Sequence, residues 1–206
     1  VERDRNNPAI IIWGVANESY TLGRKAAEVY RWYYDIVKAF DSSRLVTMAE
    51  ITYDIPQLDN RKEASAHMDI ASYNIYIGWY YNQLENLEEH VERIHNKFPG
   101  KPLILSEFGG EAMPGRLEKD GYYEAERVME NRTYSEDYQA KLIEHYVSLG
   151  RRKPYIAGVS PWVFADFYCS QFPTNPIPYF NIKGVVSKDR EPKQSYHLLK
   201  KIYQNG

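Results

Sequence analysis

The sequence predicts an α/β protein in which strands and helices alternate along the chain. Two observations carry this prediction. Five short apolar runs are separated by longer segments, and in those segments apolar side chains recur every three or four residues. Strands joined through helices are typical of a parallel sheet with helical crossovers.

The five apolar runs are the predicted strands. The first, Ala9–Trp13, is continuously apolar, as in a strand that is buried on both faces. The other four predicted strands are Arg44–Met48, Met68–Asn74, Pro102–Ser106 and Ile156–Trp162.

Four amphipathic segments between and after these runs are the predicted helices. They cover residues 20–40, 84–98, 135–149 and 193–203. A capping box, Thr133 to Glu136, is predicted to open the third helix. The second helix carries an acidic run with His90 and His95, and we expect both histidines to face solvent.

Composition excludes several classes of protein. The net charge is −2, whereas a nucleic-acid-binding protein normally carries a basic excess, so we expect no nucleic-acid partner. No apolar run reaches about 18 residues, so we expect no membrane-spanning helix. Cys169 is the single cysteine, which excludes an internal disulfide and a cysteine-based zinc site. We expect neither a metal nor a cofactor.

The strand count distinguishes between two architectures. No Gly-x-Gly-x-x-Gly follows a predicted strand, so an open nucleotide-binding sheet has no support. The alternative is a (β/α)8 TIM barrel, which needs eight units and typically about 250 residues. Five units are counted here, so we expect the chain to be the last five β/α units of such a barrel.

The predicted strand ends carry two informative carboxylates. Glu18 follows the first apolar strand, and Glu107 follows the fourth. In parallel barrels the chemistry lies at the carboxyl ends of the strands. A glutamate there is costly unless it is paired, hydrated or used. Two such carboxylates are what glycoside hydrolysis requires, and two structural, ion-paired glutamates are the alternative. Glu50, at the second strand end, is expected to be structural.

The segments around these glutamates resemble glycoside hydrolase family 2, which includes β-glucuronidases and β-galactosidases. The resemblance extends from about residue 3 to residue 203. Its motifs are Arg5–Glu18, Asn74–Tyr80, Lys101–Glu111, Trp162–Phe167, Asn181–Gly184 and Asp189–Lys193.

The resemblance implies a retaining mechanism with Glu18 as general acid/base and Glu107 as nucleophile. Glu107 would form a covalent glycosyl-enzyme, and the two carboxyl groups should lie roughly 5–5.5 Å apart. Asn17 matches the residue that holds the 2-hydroxyl of the sugar. Tyr76 matches a tyrosine that donates to the nucleophile, and Trp162 matches a platform for the sugar face. A buried ring without a catalytic role is the alternative for both aromatic residues.

The same resemblance implies a substrate class. Asn181 and Lys183 match an Asn-x-Lys pair that binds the carboxylate of a uronic acid in β-glucuronidases, and an ammonium with an amide is a suitable carboxylate clamp. The pair also occurs in relatives that cleave neutral sugars. A β-glucuronidase-like exo-glycosidase is therefore the first expectation, and a β-galactosidase is the second.

The resemblance also bears on domain organisation and partners. Residues 1–206 are expected to be the C-terminal portion of the catalytic barrel domain, without the family's sandwich domains and first barrel strands. The expected partners are a β-glycoside or glucuronide substrate, and a homo-oligomer or the missing N-terminal portion. Two rival functions remain open, an inactive barrel fragment that serves in assembly and an endo-acting barrel hydrolase. Asn131–Thr133 fits a glycosylation sequon.

Overall fold

Strands and helices alternate along the chain as the sequence predicts. The computed structural model describes residues 1–19, 24–52, 63–120 and 132–205. The predicted start of the first helix at residues 20–23 and the sequon residue Asn131 lie outside these ranges. In chain order the elements are β1 (Ile12–Asn17), α1 (Arg24–Phe40), β2 (Leu45–Ile51), β3 (Ala71–Asn74), α2 (Leu87–Lys97), β4 (Leu103–Phe108), α3 (Glu136–Arg152), β5 (Ile156–Pro161), β6 (Phe167–Tyr168), β7 (Phe180–Asn181) and α4 (Gln194–Gln204).

The main sheet has the strand order β1-β2-β3-β4-β5, which is also the chain order. β1 pairs with β2, β2 with β3, and β3 with β4, each in parallel. The predicted parallel sheet is therefore confirmed. β6 and β7, which sequence periodicity does not reveal, form a separate antiparallel pair.

The first strand differs from its prediction. β1 begins at Ile12 rather than Ala9, and Ile11 is 75% exposed. No residue of β1 is fully buried. β1 lies at one end of the strand order, so it lacks a second neighbour among the described strands. The prediction that this run is buried on both faces was wrong.

The start of α3 also differs from its prediction. The Oγ of Ser135, rather than that of Thr133, accepts a hydrogen bond from the backbone N–H of Tyr138 (3.4 Å). The Thr133 and Ser135 hydroxyls lie 2.9 Å apart. Glu136 is the first residue of the helix, so it is too early to complete a capping box. Its carboxylate instead accepts the N–H groups of Gly115 (2.6 Å) and Gln194 (2.9 Å).

The two histidines of α2 are not simply solvent-facing. His90 is 6% exposed, and its Nε2 lies 2.7 Å from the Thr52 hydroxyl. It shares the inner face of the helix with Leu87, Val91 and Ile94, so helical periodicity places it inside. His95 is half-buried and stacks on Tyr155 at a centroid distance of 3.8 Å. The prediction of two solvent-facing histidines was wrong because the acidic residues of α2 define only part of the outer face of the helix.

The described residues pack into two compact units. Unit 1 consists of Val1–Ile75, Asn86–Glu107 and Gly150–Ser160. Unit 2 consists of Tyr76–Glu85, Phe108–Leu149 and Pro161–Gly206.

The core of unit 1 forms between α1 and the first strands. Alternate residues of β2 are buried, so one face of that strand packs against apolar side chains. The buried cluster consists of Tyr30, Val37, Val46, Met48, Ala64 and Met68. These contacts fix β2 next to β1, and they thereby fix the strand end that carries Asn17.

Unit 2 contains an aromatic core and a buried ion pair. Phe108 and Tyr146 stack at 4.5 Å. Lys193 Nζ donates to Asp166 (2.9 Å) and to the carbonyl of Ile182 (3.0 Å), and burial raises the pKa of Asp166 while lowering the pKa of Lys193. The same Asp166 oxygen accepts the N–H of Gly184 (2.8 Å). A Cβ at Gly184 would collide with the Asp166 nitrogen, which explains the glycine of the Asn-x-Lys-Gly motif.

The described ranges contain neither a membrane-spanning helix nor a cluster of metal ligands. None of their helices combines the length and the apolar character that crossing a membrane requires. Their His, Cys, Asp and Glu side chains form no group of three that could hold a metal ion.

Candidate active site

The end of β1 presents the first predicted carboxylate. β1 ends at Asn17, and Glu18 follows with a φ of 46°, in the left-handed region. A non-glycine residue held there costs about 1–3 kcal/mol and is retained where the surrounding structure enforces it. One such restraint is the hydrogen bond from Glu18 N to the carbonyl of Ala49 (2.9 Å) on β2. Both Asn17 and Glu18 are exposed.

Asn74, at the end of β3, connects these two side chains. Its Nδ2 donates to Glu18 Oε1 (2.8 Å) and to Asn17 Oδ1 (3.1 Å). Its Oδ1 accepts the Ser106 hydroxyl (2.7 Å), so the amide nitrogen must face the other two residues. Asn74 is 0% exposed, and a buried amide is stable only with such partners.

Glu107 lies in β4, next to Asn74 in the strand register. The carbonyl of Glu107 accepts the backbone N–H of Ile75 (2.8 Å), which continues the pairing of β3 with β4. Glu107 is half-buried. Asn74 therefore pairs with Glu107 through the backbone and with Glu18 through its side chain. The separation of about 5–5.5 Å between the two carboxyl groups stays a prediction.

Glu50 behaves as the structural residue that was expected. It is 2% exposed, and its carboxylate accepts the backbone N–H of Ser65. This contact fixes the short 3-10 turn Ala64–His67, which packs against β2 and α1.

Tyr76 and Trp162 belong to unit 2. The ring of Tyr76 is nearly buried and lies 5.1 Å from the ring of Tyr80. Trp162 is half-buried, lies edge-on to Phe167 at 6.1 Å, and precedes a cis peptide bond to Val163. The donor role of Tyr76 and the platform role of Trp162 stay predictions.

Asn181 and Lys183 are both buried in unit 2. Asn181 Oδ1 accepts the backbone N–H of Lys183 (3.1 Å). Lys183 Nζ donates to the Tyr80 hydroxyl (2.6 Å) and lies 3.4 Å from Glu111 Oε1. Burial lowers the pKa of Lys183, with the Glu111 carboxylate opposing that shift. A substrate carboxylate would therefore meet a lysine that already has an internal counter-charge.

Aromatic rings surround the Lys183 ammonium. Nζ lies 4.9 Å from the centroid of Tyr80, 5.1 Å from that of Phe172 and 5.9 Å from that of Tyr76. Ring faces stabilise a desolvated cation, which helps to explain how a lysine remains buried here. Glu111 is held in turn by Asn175 Nδ2 (2.7 Å).

The two units thus offer different chemistry. Unit 1 carries the exposed Glu18 carboxylate, which accepts a hydrogen bond from the Asn74 amide, and the half-buried Glu107, and such carboxylates suit proton transfer and nucleophilic attack. Unit 2 carries cations within aromatic rings, which suits recognition of an anionic group. Asn74, Tyr80 and Glu111 are the residues that sequence reasoning missed, although all three lie within or beside the motifs that carry the resemblance.

Comparisons with known proteins agree with this description. The chain is 33% identical over 211 residues to the β-glucuronidase of Mus musculus, an alignment that covers 98% of this chain and 30% of that relative. The β-D-glucuronidase structure of Dictyoglomus thermophilum superposes with a TM-score of 0.78 at 30% identity, covering 98% of this chain and 33% of that one. A family 2 β-galacturonidase of Eisenbergiella tayi bound to galacturonate superposes with a TM-score of 0.80 at 27% identity, covering 99% of this chain and 34% of that one.

The chain thus spans about 30% of the length of the curated relatives that it matches. A parallel sheet with alternating helices that spans about 30% of the length of these relatives corresponds to part of a barrel. Residues 1–205 match the family of the glycosyl hydrolases family 2, TIM barrel domain. The chain therefore belongs to the TIM barrel domain family of glycosyl hydrolases family 2.

Proposed function

We propose that the protein is a retaining exo-β-glycosidase of the β-glucuronidase type. The observation that carries this proposal is the arrangement at the strand ends of unit 1. There Asn17 and Glu18 are bonded to Asn74, and Asn74 pairs with Glu107. Family membership supports glycoside hydrolysis, and the matched relatives support a uronic acid as the sugar.

In the first chemical step Glu107 acts as nucleophile. A carboxylate oxygen of Glu107 forms a bond to the anomeric carbon while the bond from that carbon to the leaving oxygen breaks. Glu18 gives its proton to the leaving oxygen. The product is a covalent glycosyl-enzyme and a free aglycone alcohol.

In the second step water replaces Glu107 at the anomeric carbon. Glu18, now ionised, takes a proton from the water as its oxygen attacks. The bond to Glu107 breaks and returns its carboxylate. Two displacements retain the anomeric configuration of the β-glycoside.

Neutral side chains orient Glu18. The hydrogen bond from Asn74 Nδ2 restrains the rotamer of Glu18, and Ser106 restrains Asn74. Asn17 would hold the sugar's 2-hydroxyl through a contact that strengthens in the transition state, which raises the rate rather than only the affinity. Tyr76 would orient Glu107, and Trp162 would contact the sugar face.

The substrate class is proposed from unit 2. Asn181 and Lys183 would recognise the carboxylate of a uronic acid, as the resemblance implies. We also propose that residues 1–206 are the C-terminal part of the catalytic barrel domain, with a homo-oligomer or an N-terminal portion of the protein as partner.

One observation favours a β-galactosidase as the second candidate. The Glu111 carboxylate lies 3.4 Å from the Lys183 ammonium, and the Glu111 side chain is 2% exposed. A lysine whose charge is already balanced has less to gain from a substrate carboxylate, so a neutral sugar would suffer no disadvantage.

The test is an assay of the full-length protein on aryl β-glucuronide and aryl β-galactoside. We expect turnover of the glucuronide, and we expect Glu107→Gln to abolish it. Glu89→Gln, on the exposed face of α2, is the matched control and should retain activity. Preference for the galactoside would keep the mechanism and refute the uronate assignment. Absence of turnover on every β-glycoside would favour the assembly role.

A further inference from the structure

Unit 2 contains a second cation near Lys183. The guanidinium carbon of Arg132 lies 4.2 Å from the ring centroid of Trp79 and 5.2 Å from that of Tyr80. Lys183 Nζ lies 4.9 Å from the same Tyr80 ring. Tyr80 therefore contacts both cations, although Arg132 and Lys183 are more than 50 residues apart in the sequence.

The two cations share a nearby carboxylate. Glu111 pairs with Lys183 at 3.4 Å and also interacts electrostatically with Arg132. One carboxylate thus serves two cations among these three residues. Counting Arg132, Lys183 and Glu111 alone, two cations face one carboxylate, so a further anion would be stabilised beside them.

The two cations differ in accessibility. Lys183 is 1% exposed and is engaged by Tyr80 and Glu111. Arg132 is only partly buried. Its guanidinium packs on the Trp79 ring and hydrogen-bonds to Tyr134. A guanidinium carries five N–H donors in one plane, so these contacts leave donors for a further acceptor.

We propose that Arg132 is a specificity-determining residue that binds the anionic group of the substrate, and that this group is the carboxylate of a uronic acid. The inference rests on the proposed glycosidase function and deepens it. A substrate carboxylate would be attracted by two neighbouring cations, and its planar shape fits two parallel N–H donors of a guanidinium. Arg132 then binds the same carboxylate as Lys183, while Glu111 and Tyr80 hold Lys183 in place.

The test compares two substrates that differ only at the acidic group. The full-length protein is assayed on p-nitrophenyl β-glucuronide and p-nitrophenyl β-glucoside, whose CH2OH replaces the carboxylate. For Arg132→Gln we expect kcat/KM on the glucuronide to fall about 10- to 100-fold, the range for loss of a charge-assisted hydrogen bond, while the glucoside value stays nearly constant. Arg132→Lys keeps the charge without the planar donors and should give an intermediate loss.

Two results would overturn the proposal. An equal fall on both substrates would assign Arg132 a structural role, and unchanged values on both would assign it none. The thermal unfolding midpoint of each variant shows whether the variant is folded.

A binding measurement separates this inference from the proposed function. Glucuronate is titrated calorimetrically into the wild-type protein and into Arg132→Gln. Arg132-dependent binding of glucuronate by a protein that cleaves no glucuronide would sustain the role of Arg132 and refute the proposed activity. Equal affinity in both proteins, or no binding by the wild type, would refute the role of Arg132.

Discussion

The charged groups of the two units are held in opposite ways. In unit 1, Glu18 is exposed and Glu107 is half-buried, and the neutral Asn74 amide donates to Glu18. In unit 2, the Lys183–Glu111 pair and the Lys193–Asp166 pair are almost fully buried, and each cation has a carboxylate within 3.4 Å.

This difference indicates which charged groups can take part in a reaction and which only stabilise the fold. A carboxylate that attacks a substrate or exchanges a proton must be reachable, and neutral donors can orient it without cancelling its charge. A buried ion pair compensates itself, so breaking it leaves an uncompensated charge. Substitutions of Glu18, Glu107 or Asn74 should therefore affect rate, and substitutions in the two buried ion pairs of unit 2 should affect stability or selectivity.

The largest expected effect is on the catalytic pair. We expect Glu107→Ala to lower kcat by about 10⁴- to 10⁶-fold, the range for loss of a central catalytic residue. Azide can occupy the space of the missing carboxylate, so it should restore turnover and yield the α-glycosyl azide. With Glu18→Ala and an activated aryl glycoside, azide should instead yield the β-glycosyl azide, since it attacks the glycosyl-enzyme.

Nuclear magnetic resonance of the azide products is the measurement, and Glu89→Ala is the control. The same azide anomer from both variants would contradict the two distinct roles.

The next largest effect concerns stability in unit 2. Lys193→Met removes the partner of the buried Asp166, and we expect the free energy of unfolding to fall by about 3–5 kcal/mol. Urea denaturation measures this change. The double variant Lys193→Met, Asp166→Leu removes both charges and should recover part of the loss. A single variant as stable as the wild type would show that the pair is not a stabilising constraint.

A smaller effect is expected for the neutral organiser of unit 1. Asn74→Ala removes the donor to Glu18, and we expect kcat to fall about 10- to 100-fold, as for loss of a hydrogen bond to a charged group. Ser106→Ala, which only loosens Asn74, should cost about fivefold. Steady-state kinetics gives both values. A larger loss for Ser106→Ala than for Asn74→Ala would contradict a chain of contacts that runs from Ser106 through Asn74 to Glu18.

The smallest effect concerns acid stability in unit 1. Hydrogen bonds from Ser43, Trp13 and Arg44 hold the pKa of Asp41 well below its ordinary value. Because the folded-state pKa is lowered, this contribution is complete above the unfolded value of about 3.9 and is lost as pH falls below it. Thermal unfolding between pH 6 and about 3 should show a shallower decline for Asp41→Asn than for the wild type. Parallel declines would contradict the assignment.

The sequence was sufficient for the elements because their signals are local. Helical periodicity found α1 to α4, and apolar runs found the strands of the main sheet. The observed strand limits differ from the predicted ones by several residues because the solvent exposure of the side chains decides them, as at Ile11. His90 and the cap at Ser135 were misassigned because each depends on a neighbour, Thr52 in one case and the first turn of α3 in the other.

The site was predictable only in part. Glu18 and Glu107 stood out because each carboxylate follows an apolar strand. Asn74 donates across 56 residues to Glu18, and Lys183 donates across 103 residues to Tyr80. Such contacts have no local signature, since periodicity reports only on neighbours within a few residues. Arg132 follows no predicted strand and belongs to none of the motifs that carry the family resemblance, so its position over Trp79 is what reveals it.

The proposed mechanism requires that Glu107 forms the covalent intermediate. The most direct measurement is mass spectrometry of peptides from the full-length protein after reaction with an activated 2-deoxy-2-fluoro-β-glucuronide, which slows release of the glycosyl-enzyme. We predict one glycosyl adduct, located on Glu107. An adduct on another carboxylate, or cleavage of the glycoside without any adduct, would contradict the role of Glu107 as nucleophile.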